Sequence, residues 1–168
     1  MDSLSQLKPH KSECRYYNSH YQNRFYANDT ITYYYHGKSG KCLTQINAEN
    51  KFECEDYRVA TDTVISYKEY PAKEKILGQQ CKVIEWQGKY FNNRFYVSTE
   101  VKIPPATYRE HMAYNWKFYG DKAHGGLILK SEHTFKNYTM AGIAATIQKE
   151  KGIKIPSIYM DRADCFSK

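Results

Sequence analysis

Six histidines and five cysteines are scattered along the 168 residues, and their spacing decides what chemistry they can share. His10, His20, His36, His111, His124 and His133 form no H-E-x-x-H pair; Glu110-His111 has no second histidine at the required distance. There is no G-x-S-x-G elbow, no phosphate loop of the G-x-x-x-x-G-K-[ST] type and no G-x-G-x-x-G turn. Lys38-Ser39-Gly40-Lys41 reads as an exposed hairpin tip. Cys14, Cys42, Cys54, Cys81 and Cys165 include no C-x-x-C pair and no finger-like histidine, so no structural zinc site is expected. Cys81 lies inside an apolar strand pattern, where a thiol is buried and inert rather than paired with a distant histidine. Cys42 and Cys54 flank a short polar stretch and would meet in a hairpin, which makes them the expected disulfide in an oxidising compartment. Glu53, Glu55 and Asp56, like Asp161 and Asp164, lack calcium-loop spacing and read as solvated faces. The expectation is a chain with no catalytic residue, no metal and no cofactor.

Tyrosine is the unusual entry in the composition: 17 tyrosines against 7 Phe and 2 Trp. Such side chains suit a pleated, half-buried surface, and their polar tips suit the rim of a sheet or a wet cavity. The formal net charge is +7, compatible with nucleic acid, anionic lipid or acidic polysaccharide. Basic and aromatic residues interleave at Arg15-Tyr16-Tyr17, Arg24-Phe25-Tyr26, Lys89-Tyr90-Phe91 and Arg94-Phe95-Tyr96, as on a single-stranded nucleic-acid platform. Strands that bury one aromatic face produce the same pattern, and no run of five or six basic residues accompanies it. Nucleic acid is therefore the least favoured partner. No stretch reaches the roughly 18 apolar residues of a membrane span. The N-terminal residues have no apolar signal-peptide core, which leaves an intracellular chain or a mature exported one. The sequons Asn28-Asp29-Thr30 and Asn137-Tyr138-Thr139 matter only in a eukaryotic secretory setting.

The elements that must position these residues are mostly strands. Residues 1–22 read as a polar, loosely ordered arm, and 23–168 as a single β-rich domain. Strand patterns run over Arg24–Tyr26, Thr30–His36, Cys42–Ile46, Phe52–Val59, Thr63–Tyr67, Cys81–Trp86, Arg94–Thr99 and Leu127–Phe135. Ile84 and Trp86 share one face with the stem of Lys82, opposite Cys81 and Val83; Phe95 and Val97 oppose Tyr96. Short connections favour antiparallel pairing. Thr107–Tyr119 has a weak helical spacing that would cover one face of the sheet. Met140–Lys149 fits helix or strand, and Ile153–Tyr159 reads as an edge strand because of Pro156. The expected fold class is mainly β (α+β): a curved antiparallel sheet or half-barrel with one or two covering helices.

Lys75-Ile76-Leu77-Gly78-Gln79-Gln80-Cys81-Lys82 resembles the K-x-I-L-G-x-x-C-K block of the GLPGLI family and related uncharacterised envelope proteins. Phe95-Tyr96-Val97-Ser98-Thr99-Glu100-Val101-Lys102-Ile103-Pro104 is similar to the strand that follows in that family. The name-giving segment is represented only by His124-Gly125-Gly126-Leu127-Ile128-Leu129-Lys130, without its Leu-Pro and with Lys130 in place of the usual acid. The resemblance implies a periplasmic or outer-membrane-associated protein with an architecture similar to lipoprotein carriers of the LolA/LolB type. Such a half-barrel would hold a lipid or other apolar ligand, with Trp86, Phe95, Val97, Trp116, Leu127 and Leu129 as its expected lining. The alternative is a structural or interaction module that docks a protein or glycan partner through a tyrosine-rich face. A tunnel over the sheet favours the first, a filled core with an exposed aromatic patch the second.

Overall fold

The structure, a computed structural model, describes residues 9–49, 51–149 and Cys165. The described residues are mainly β and form two five-stranded antiparallel sheets, with no closed barrel among them. The first sheet is a meander of β1 (Lys11–Tyr17), β2 (His20–Tyr26), β3 (Thr30–His36), β4 (Lys41–Ile46) and β5 (Phe52–Asp56). The second is a meander of β6 (Val64–Pro71), β7 (Cys81–Gly88), β8 (Asn92–Lys102), β9 (Gly126–Thr134) and β10 (Thr139–Ile143).

Several elements differ from the sequence expectation. The stretch read as a loose arm is ordered from Lys11 on, because Arg15, Tyr16 and Tyr17 pair with Gln22, Tyr21 and His20 across a two-residue turn. Asn92 and Asn93, outside the expected strand Arg94–Thr99, belong to β8, where Asn93 Oδ1 accepts a hydrogen bond from His133 Nδ1 (2.6 Å). The expected helix over Thr107–Tyr119 is broken into 3₁₀ turns at Pro105–Tyr108 and Ala113–Asn115, then α1 at Trp116–Ala123. The break falls at Tyr114 and Asn115, both with positive φ (54° and 61°). β10 settles the ambiguous Met140 region as strand over its first residues. The expected strand Ile153–Tyr159 lies outside the described residues.

The crossover from β8 to β9 packs between the two sheets. Its Ile103, Tyr108, Ala113, Tyr119 and Ala123 join Tyr21, Tyr35 and Cys42 of the first sheet and Ile84, Trp86, Phe95 and Val97 of the second in one buried cluster. Ring contacts carry the interface: Trp116 stacks on Tyr108 (5.1 Å) and on Phe95 (5.6 Å). The other face of the first sheet buries Tyr34 and Leu43 beside Cys165. On the second sheet, Cys81, Val83 and Leu129 pack with Ala72 and Ile76 on the face away from the crossover. Seven of the sixteen described tyrosines are buried, and the rest lie half-buried or exposed, as suits an amphipathic ring on a pleated sheet.

Cys54 forms its disulfide with Cys165, across a sequence separation of 111, and not with Cys42. In the β4–β5 register Cys54 faces Leu43, while Cys42 faces Glu55. Directly paired residues share a face and neighbours along a strand do not, so Cys42 and Cys54 point to opposite sides of the sheet. Cys42 remains a buried free thiol, pushed up to about 12 by that burial.

Candidate functional site

Of the six side chains expected to line an apolar cavity, four are brought together. Trp86 and Phe95 meet edge to face (4.9 Å), Phe95 stacks on Trp116, and Val97 lies in the same cluster. Leu127 packs against this cluster and the second one, whereas Leu129 belongs wholly to the second, on the other face of the sheet. The cause is a register shift: Val97 pairs with Ile128 and Tyr96 with Lys130, so Leu129 is an extra residue in β9. The assembled lining is filled. Trp86, Phe95 and Val97 are at most 2 % exposed, and the shallow space bounded by Ile103, Tyr108, Tyr119 and Ala123 has no volume open to a water molecule.

His111 sits in the middle of this core. Its Nε2 lies 2.8 Å from the Tyr21 hydroxyl, its ring packs on Tyr35 (4.5 Å) and Tyr57 (4.8 Å), and its Nδ1 has no hydrogen-bond partner among the described residues. Burial holds its pKa down at about 3, so the imidazole is neutral and sealed from any external substrate. Cys81 is buried too, and burial pushes its thiol up, away from the reactive thiolate. Among the described residues, no group of three or more His, Cys, Asp or Glu is placed to hold a metal ion.

An open groove of about 570 Å³ lies elsewhere, at the end of the second sheet. Four chain segments build it. The β7–β8 turn supplies Tyr90 and Phe91, the β9–β10 turn supplies Phe135 to Tyr138, the second 3₁₀ turn supplies Tyr114, and the loop before β6 supplies Thr61. Each turn is tied by its backbone. Gly88 N–H donates to Phe91 O (3.0 Å), Phe135 N–H to Tyr138 O (2.9 Å), and Lys89 N–H to Thr63 O (3.1 Å). Tyr114 N–H donates to Thr61 Oγ1 (2.8 Å), which holds Tyr114 in its left-handed backbone conformation.

Asp62 is the post beneath the groove. Its buried carboxylate accepts from Tyr90 N–H (3.2 Å) and from Asn115 Nδ2 (3.4 Å), joining the β7–β8 turn to the 3₁₀ turn. Gly88 makes room for it: a Cβ there would overlap Asp62 Oδ2 and lie 2.6 Å from Phe91 O. Above the post the rings form a chain. Tyr114 meets Phe91 (6.1 Å), Phe91 meets Phe135 (5.6 Å), and Phe135 stacks on Tyr138 (4.6 Å, 17° between planes). Tyr90 stands outermost, 61 % exposed, with Lys89 Nζ 5.1 Å from its ring centre.

Sequence reasoning singled out Lys89-Tyr90-Phe91 as basic–aromatic interleaving but did not connect it with Tyr114 or Phe135. Those residues lie 24 and 45 positions from Tyr90. Arg94, from another interleaved triplet, is instead held by Glu85 (2.8 Å) and Glu132 (3.0 Å) on the face of the sheet opposite the crossover. No family model, curated protein or solved structure matches this chain. The fold and site therefore define it only as a two-sheet β protein with an aromatic groove at one end.

Proposed function

We propose that this is a non-enzymatic binding protein of the cell envelope that holds a carbohydrate chain along the Tyr90–Tyr138 groove. The observation that carries this reading is the chain of aromatic rings that three separate turns assemble in an open groove, with Thr61 from a fourth segment beside it. Tyrosine and phenylalanine offer wide apolar faces at little entropic cost, and sugar rings present C–H faces that pack on them. Thr61 and Asn137 supply hydrogen-bonding groups at the same surface. The Cys54–Cys165 disulfide suits an oxidising compartment, and the Lys75–Lys82 resemblance supports an envelope location.

Carriage of a lipid, which the family resemblance implies, asks for space beside Trp86, Phe95 and Val97. That space is occupied by Trp116 and Tyr119, so an acyl chain would have to displace the crossover. Glycan-array binding of the intact protein tests the choice. Carbohydrate binding that weakens roughly tenfold in Tyr90→Ala is the expected result. Uptake of a fluorescent fatty acid, with no glycan bound, would favour the lipid carrier instead.

A further inference from the structure

We propose that the ligand of this groove is an acidic oligosaccharide, one bearing carboxylates or sulfates, with Lys136 and Lys89 as its charge-reading residues; this rests on the carbohydrate reading above. Among the described residues lining the groove, Lys136 is the sole carrier of formal charge. It projects from the β9–β10 turn between Phe135 and Asn137, exposed to solvent, at the end of the ring chain. Lys89 precedes Tyr90 in the β7–β8 turn, its ammonium 5.1 Å from the centre of the Tyr90 ring.

The acid of the region is committed elsewhere. Asp62 is 6 % exposed, and its carboxylate oxygens accept from Tyr90 N–H and Asn115 Nδ2. It supports the groove without facing a ligand. The groove therefore combines aromatic side chains with one lining cation, Lys136, and with Lys89 beside Tyr90, on a chain whose formal net charge is +7. A sugar chain with anionic groups matches both features at once: ring faces stack on Tyr90 and Phe135, and its acid groups meet the lysines in charge-assisted hydrogen bonds. A neutral glycan would use the rings and leave the cations unmatched. A nucleic-acid strand would ask for a longer basic track than these two lysines provide.

Calorimetric titration of the intact protein with matched pairs separates the outcomes. Probes are an oligogalacturonate and its methyl ester, and a heparin-type oligosaccharide and its desulfated form. At least one acidic member should bind about tenfold more tightly than its neutral partner, and more weakly as salt is raised. Lys136→Ala should remove most of that preference, and Tyr90→Ala should weaken both members of the pair. Equal binding of acidic and neutral partners would overturn the acidic ligand while leaving the carbohydrate reading intact. Binding to none of the four, with an unchanged circular dichroism spectrum, would overturn both. Acidic binding indifferent to Tyr90→Ala would also overturn the proposal, since charge alone would then explain it.

Discussion

Leu77 occupies a backbone conformation that its side chain disfavours. With Gly78 it forms a two-residue turn between Ile76 and Gln79, and both have positive φ (51° and 76°). A branched aliphatic residue in that region costs about 1–2 kcal/mol, while Asn-Gly is the favoured pair for such turns. Leu77 is also substantially exposed, so little packing offsets the strain. Leu77→Asn should therefore raise stability by about 1 kcal/mol, seen as a higher urea midpoint with an unchanged slope. Gly88 presents the opposite case. Gly88→Ala would push the new methyl onto Asp62 and is expected to cost about 2 kcal/mol. It should also weaken ligand binding, because Asp62 ties Tyr90 to the Asn115 turn; unaltered stability would mean that Asp62 yields freely.

At the level of elements, the disulfide fastens a distant part of the chain to the exposed strand β5. Cys54 and Cys165 have Cα atoms 5.9 Å apart. Closing a loop of roughly a hundred residues stabilises by about 3–5 kcal/mol in chain-entropy terms. Cys54→Ser should lower stability by that order. Peptide mapping without reduction should recover Cys54 linked to Cys165, and a Cys42–Cys54 peptide would refute the register between β4 and β5. The pairing was not legible in the sequence because one residue of register reverses the face that every side chain points to. Alternation along Cys81–Trp86 and Arg94–Thr99, by contrast, was legible: Ile84, Trp86, Phe95 and Val97 do share the crossover-facing side. The extra residue at Leu129 was not, since a bulge leaves no periodic mark of its own.

For the molecule as a whole, buried and half-buried neutral histidines make acid the natural denaturant. Burial is the first cause that lowers His20 to about 4, His133 to about 4 and His111 to about 3. His20 stacks on His36 (4.4 Å), with Lys38 adding to the opposition to positive charge, and accepts the Gly37 N–H on Nδ1 (3.0 Å). The unfolded chain takes up protons near pH 6.5, before the folded chain does. Their contribution is therefore complete above about pH 6.5 and is lost as pH falls towards 4. Urea midpoints should drop steadily between pH 7 and pH 4.5, a window above the titration of ordinary aspartates. A flat profile there would mean that the histidines are hydrated or already charged in the folded protein.

The sequence by itself determined the β-rich class, the antiparallel pairing of its short-looped strands and the inward faces of β7 and β8. These follow from period-two alternation and turn residues, which are local properties. Tertiary structure decided what the residues with chemical potential do. It split the strands into two sheets, filled the expected cavity with Trp116 and Tyr119, and sealed His111 and Cys81 from solvent. It also gathered Thr61, Tyr90, Tyr114 and Phe135 into one groove from four segments far apart in the chain. Such convergence depends on turn geometry and long-range packing, and neither leaves a pattern within any one stretch of sequence.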